Sequence, residues 1–229
     1  MLLLFLPDWV GPVARYMFEV GLPATLKVSA IALTTSSLIG VTLGTLMTIH
    51  FFPSRALIRA YIEVWRGLPL IVTIFLMLFV VPDLFHIPPA SWTPYKAAAI
   101  GLVLWGSAQV AETTRGAIDS IPREQHEAAS ALGFGWVGRQ SFVILPQALR
   151  RLLPPLVGLL VNIIQNTTIA AIIGVAEVLE AGNRSVERLQ LTPPGDSHAF
   201  EIYLGVMAIF FVISFPLTRF AAYLEKRLV

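Results

Sequence analysis

The sequence predicts an all-α, polytopic membrane protein: five transmembrane helices, an N-terminal interfacial helix and one structured cytoplasmic loop. Three observations carry this reading. Of 229 residues, 56% are hydrophobic and only 13% charged, against roughly 25% charged in a soluble domain, and the mean hydropathy is +0.75. The apolar residues fall in continuous runs rather than the alternating segments of an outer-membrane barrel, and helices satisfy their own backbone in lipid. The one long stretch unfit for a lipid core, residues 115–155, holds five of the sixteen Lys and Arg residues: Arg115, Arg123, Arg139, Arg150 and Arg151. A single transmembrane domain over 1–229 is therefore expected, interrupted by a loop with internal order.

At the start, MLLLFL is cut off by Pro7 and has no basic flank, which does not suit a cleaved signal peptide. After Pro12, the residues Val13, Tyr16, Met17 and Val20 share a helical face while Arg15 and Glu19 pair at i,i+4. With Trp9 and Tyr16 present, this reads as a short helix lying in the membrane interface, with a disordered tail as the alternative. Five spans follow at about 22–49, 57–81, 96–118, 152–175 and 201–222, each at or above the ~20 residues that cross the hydrocarbon. Ser36, Gly40 and Gly44 form a ridge of small residues on the first, where another helix packs closely. Pro82, Pro88, Pro89 and Pro94 break the chain after the second span, and Thr192 to Asp196 break it before the fifth.

With the 115–155 loop inside, eleven of the sixteen basic residues lie on the cytoplasmic side, while Arg15, Lys27, Lys96, Arg184 and Arg188 lie outside. The positive-inside rule then places the N-terminus outside and the C-terminus in the cytoplasm. There is no cysteine, and His50, His86, His126 and His198 are too scattered to hold a metal together. No phosphate-binding GxxxxGK[ST] loop occurs, so no nucleotide or other cofactor is expected in this chain and no enzymatic activity is predicted for it. Membrane lipid is the expected surrounding; a nucleic-acid partner is not.

Polar residues inside spans need an account, since insertion costs about 2.5–3.5 kcal/mol per charge. Arg66 in the second span and Glu112 in the third fall at similar depth on antiparallel helices. They read either as an interhelical ion pair or as partners of Glu63 and Arg115 within their own helices. In the fourth span, Asn162, Gln165 and Asn166 share a face, with Thr167 beside them. Such amides offer donors and acceptors to a zwitterion without a buried charge. This stripe reads as the lining of a translocation path, with Gln109 and Glu112 joining it; interhelical hydrogen bonding is the alternative.

Within the loop, Pro122 suits the start of a helix and Glu124 to Leu132 are good helix formers, while Gly133 suits a left-handed end. A turn over Gly133–Gly135 should lead to a second helix that Pro146 closes. Such an amphipathic pair docks into a groove on a partner. Glu127-Ala128-Ala129, then Gly133, then Leu145-Pro146 after Val143, reproduce the spacing EAA-x3-G-x9-I-x-L-P, with Val143 in place of Ile. In this the chain resembles the permease subunits of bacterial ABC importers. YIEVWRGLPL from Tyr61, ETTRGAI from Glu112, PQAL from Pro146 and NTTIAAIIG from Asn166 look like the polar amino-acid permeases within that group. Leu68, Ala117, Gln165 and Thr168 depart from the common pattern.

The resemblance implies half of a type I importer for polar amino acids in a bacterial inner membrane. A second permease subunit, identical or paralogous, would complete the path. Two ATPase subunits carrying ATP and Mg would dock on Glu127, Ala128, Ala129, Gly133, Leu145 and Pro146, and an extracytoplasmic binding protein would deliver the solute. An importer for another small solute, or an ATP-independent channel or secondary transporter, stands as the other reading. The latter would show inverted repeats, and no convincing repeat runs across the five spans.

Overall fold

The computed structural model describes residues 7–48, 52–192 and 195–228. The opening MLLLFL, the predicted end of the first span at 49, and Pro193 and Pro194 of the predicted break lie outside them. Among the described residues the regular elements are all helical.

α1 runs unbroken over Val10–Leu46, 37 residues. The short interfacial helix expected before the first span is therefore the N-terminal end of that span. Arg15 and Glu19 do pair, at 3.8 Å on the exposed face. The chain does not break at Gly21-Leu22-Pro23 because the helix widens to π geometry over Met17–Gly21. Pro23 has no N–H and its ring crowds the carbonyl four residues back; that carbonyl, on Glu19, lies in the widened turn.

The second predicted span is not straight. α2, Phe52–Gly67, and α3, Leu70–Leu84, meet at 105° across the Leu68-Pro69 break. Proline excludes the helical conformation at the residue before it, and Pro69 itself is extended (φ −57°, ψ 134°). α3 passes through Pro82, again just after a π stretch, Leu76–Val80. The Trp92 indole N–H donates to the Met77 carbonyl in that stretch (2.8 Å).

α4, Pro94–Asp119, is the central helix. At 26 residues it is ~39 Å long, enough to span. Its Lys96, Gln109, Glu112, Arg115 and Asp119 dilute its hydropathy, so among the described residues only α1, α6, α8 and the bent α2–α3 pair stand out as apolar spans. Enclosure by its neighbours compensates: fully buried residues recur along it from Ala97 to Thr114. The small-residue ridge of α1 lies against it. A Cβ on Gly40 would meet Val110 and the Ser107 carbonyl, and one on Gly44 would meet the Ala111 carbonyl.

α5, Arg123–Ala131, is the short loop helix. α6 then extends over Trp136–Ile173, 38 residues. Pro146 was expected to end a separate helix; instead a third π stretch, Arg139–Ile144, precedes it and the helix continues. α6 tightens to a 3-10 helix over Thr167–Ile173 and stops at Gly174, whose φ of 82° is left-handed. α7, Val178–Leu191, fills the stretch between the fourth and fifth predicted spans, and α8, Ala199–Leu228, is the last span.

Three apolar clusters stack along the bundle. At the end away from the loop Val13 and Met17 of α1 meet Val178 and Ala181 of α7 and Ile202 and Val206 of α8. In the middle Val28, Ala32, Leu70, Ile74, Leu102 and Ile163 join α1, α3, α4 and α6. At the loop end Ala117, Ile118 and Ile121 pack on Ile144, Ala148 and Leu152.

Candidate functional site

The loop has a hydrogen-bonded frame. α5 ends in a Schellman motif: the Phe134 N–H donates to the Ala129 carbonyl (3.1 Å) and the Gly133 N–H to that of Ser130 (3.0 Å). Gly133 sits at φ +83°, where a side chain is strained. Three side-chain contacts then tie the loop to the bundle. Arg139 Nη1 donates to Ser130 Oγ (3.0 Å) and Gln147 Nε2 to Gln125 Oε1 (3.3 Å). Gln140 Nε2 donates to Thr48 Oγ1 at the end of α1 (3.2 Å). Behind them, Arg151 Nη1 donates to the Ser120 carbonyl (2.7 Å), joining α6 to the end of α4.

Of the predicted docking residues, Glu127, Ala128, Gly133 and Pro146 are exposed and Leu145 is half-buried, while Ala129 is buried and faces the bundle. Beside them Leu132, Val137 and Phe142 are 77%, 69% and 74% exposed. Exposed apolar side chains clustered on a polar loop mark a contact surface. Leu132 is expected only as a helix former, and Val137 and Phe142 carry no expectation; their place between Ala131 and Pro146, in a segment too polar to be a span, is the available signal.

The second site is polar and lies in the spans. At the α2–α3 corner Arg66 Nε donates to Gln109 Oε1 (3.2 Å), and Arg66 Nη1 lies 4.0 Å from Glu112 Oε2. Glu112 is held more closely by Arg115 of its own helix, at 2.6 and 3.2 Å, and Arg115 also binds Asp119. Glu63 faces Arg59 at 4.0 Å instead of Arg66. So the interhelical and intrahelical readings of Glu112 coexist, with the intrahelical contact the shorter.

On α6, Asn162 and Gln165 are exposed and Asn166 is half-buried; among the described residues their side chains have no intrachain hydrogen-bond partner. Thr167 differs: it is buried and its hydroxyl donates to the Ile164 carbonyl (2.7 Å). The structure thus brings Arg66, Gln109 and Glu112 together, and places the α6 amides on an open face of their own. No group of three or more His, Asp or Glu side chains that could hold a metal occurs among the described residues.

Residues 36–229 match the family described as "Binding-protein-dependent transport system inner membrane component". The chain belongs to this family. It is a membrane-embedded ABC permease subunit that works with partner subunits and is not itself an enzyme. It is 31% identical over 223 residues to the glutamine transport system permease protein GlnP of Escherichia coli (strain K12), covering 96% of this chain and 97% of that one. It is 32% identical over 207 residues to the inner membrane amino-acid ABC transporter permease protein YhdY of the same organism, where it spans about half of the relative's length (90% of this chain, 55% of that one). Among solved structures, an amino acid ABC transporter crystallised with histidines superposes with a TM-score of 0.80 at 27% identity, covering 97% of this chain and all of the other. The MetNI methionine transporter in an inward-facing form shares the fold, with a TM-score of 0.76 at 16% identity.

Proposed function

We propose that this permease forms half of the pathway for ATP-driven import of polar amino acids, with glutamine as the first solute to try. Its size class and likeness to GlnP over nearly its full length support an amide-bearing or zwitterionic solute. The observation that carries the reading is the unpartnered amide stripe Asn162, Gln165 and Asn166 on an open face of α6. These groups are placed to exchange hydrogen bonds with a zwitterion once a second permease subunit, identical or paralogous, closes the cavity. Gln109, Arg66 and Glu112 supply the charged end of the same path; Thr167 fixes the 3-10 turn behind it.

In this scheme two ATPase subunits bring ATP and Mg and dock on the loop around Glu127, Ala128, Gly133 and the Leu132–Val137–Phe142 edge. Ala129 seats the loop helix, and Leu145 and Pro146 carry its motion into α6. An extracytoplasmic binding protein delivers the solute. The membrane is a bacterial inner membrane, with the N-terminus outside and the loop and C-terminus in the cytoplasm. Nucleotide and binding protein would together favour the outward-open arrangement of two rigid states.

The test is uptake of labelled glutamine by proteoliposomes holding the permease, its ATPase and its binding protein. Asn166→Ala should lower uptake and solute-stimulated ATP hydrolysis by roughly tenfold, as for loss of one or two hydrogen bonds to the solute. Unchanged values for both would remove the stripe from the path.

A further inference from the structure

On the loop side of the bundle lies a cavity of about 560 Å3, which meets the polar path only through Arg115, the partner of Glu112. It is enclosed by the ends of α1 and α4, the start of α2, α5 and the first turns of α6, and four guanidinium groups line it: Arg55, Arg115, Arg123 and Arg139. Only Asp119 and Glu127 oppose them, and Asp119 is already engaged by Arg115. Arg55 and Arg123 are exposed and form no ion pair among the described residues. The Arg139 Nε–H is buried without an acceptor.

Gln140 lies behind these guanidinium groups. It is 4% exposed, and its amide is only half used: Nε2 meets Thr48 while Oε1 is buried without a partner. Arg139 then contributes a buried donor, and Arg55 and Arg123 free charge, to the same cavity. A compact oxyanion with several acceptor oxygens satisfies that set.

We propose that this cavity binds a phosphate group, carried by an anionic lipid headgroup at the membrane surface or present as soluble phosphate. The lipid source is favoured by position. The cavity lies where α1 ends and the amphipathic α2 begins, with Arg55 and Arg59 on α2 beside it, a level at which basic side chains meet headgroups. That this is the cytoplasmic leaflet rests on the orientation proposed above; the binding itself does not.

The experiment is native mass spectrometry of the purified full-length chain in detergent, titrated separately with phosphatidylglycerol, phosphatidylcholine and inorganic phosphate. The wild-type chain should retain phosphatidylglycerol in preference to phosphatidylcholine. Arg55→Gln/Arg123→Gln should weaken that retention about tenfold or more, with its helical signal and melting unchanged. Should the double variant fail to fold, the single exposed change Arg123→Gln should give a smaller loss in the same direction. Retention of inorganic phosphate that displaces the lipid supports the site and assigns it to soluble phosphate. Equal retention by wild type and variant, or of the two lipids, would overturn the proposal. So would a wild type that retains neither phosphatidylglycerol nor inorganic phosphate. Because binding is read without transport, it can fail while glutamine uptake persists, and the reverse.

Discussion

Glu177→Gln tests how the end of the bundle away from the loop is held together. Glu177 sits outside the spans at the N-cap of α7, fully buried. Its Oε1 accepts the Glu180 N–H at 2.8 Å, whereas Oε2 is buried with no partner among the described residues. Burial pushes the carboxyl from its usual 4.5 up to about 7, against the backbone N–H groups of Leu179 and Glu180, which favour the anion. The folded chain therefore holds a proton that the unfolded chain releases near pH 4.5. Stability is highest below that value, declines as pH rises towards 7, and is flat above it. The full difference corresponds to at most about 3 kcal/mol.

A glutamine keeps the acceptor for Glu180 and does not titrate. In detergent, the apparent melting temperature of the wild type should fall by several degrees between pH 5 and pH 8, at roughly 2–4 °C per kcal/mol for a chain of this size. Glu177→Gln should lose that slope and melt higher than the wild type at pH 8. Glu177→Ala separates capping from titration: it should also lose the slope, but melt lower at every pH, by about 1 kcal/mol for the lost cap. Parallel pH curves for wild type and Glu177→Gln would refute the reasoning.

Gly40→Leu should destabilise the bundle by roughly 1–3 kcal/mol or more, since its side chain would enter Val110 and the Ser107 carbonyl; Gly205→Ala, with nothing near its Cβ, is the thermal-melting control. Gly133→Ala places a side chain at φ +83° and should cost about 1 kcal/mol. Co-purification of the ATPase should drop with it, and full retention would show that the Schellman turn is not needed for docking. Glu112→Gln should lower melting more than Arg66→Gln, because Arg115 holds Glu112 at 2.6 Å while Arg66 lies 4.0 Å away and is 42% exposed. For the same reason, reversing both charges of the Arg66–Glu112 pair should not restore stability, since it sets a new Arg beside Arg115; full rescue would make the interhelical contact the dominant one.

The helical class, the small-residue face of α1 and the loop turn at Gly133 were all legible because each follows from local chemistry: continuous apolar runs, absent Cβ atoms, a left-handed glycine. The bend at Leu68-Pro69 was less so. Its two arms together make an apolar run of span length, and only the fold shows that the extended Pro69 turns the chain by 105°. α7 was hidden for the opposite reason. Its Glu180, Asn183, Arg184, Glu187 and Arg188 make it too polar for a span, while the face that seats it, Val178, Ala181 and Gly182, is defined by contacts with α1 and α8.

The prolines explain the remaining differences through one mechanism. The three π stretches end at Gly21, Val80 and Ile144, and each is followed by one residue and then a proline: Pro23, Pro82 and Pro146. In a regular helix each of these prolines would press on the carbonyl of residue 19, 78 or 142, and each of those residues lies within the widened turn. The insertion moves the carbonyl out of register, so the helix passes a residue that sequence rules treat as a stop. At Pro146 this has a mechanical consequence. Because α6 is not broken there, Gln140 in the loop and Asn166 in the amide stripe belong to one continuous helix, 26 residues or ~39 Å apart. A displacement imposed on the loop need not cross a flexible joint to reach the stripe. The Gln125–Gln147 and Ser120–Arg151 contacts on either side of Ala148 oblige α4 and α5 to move with it.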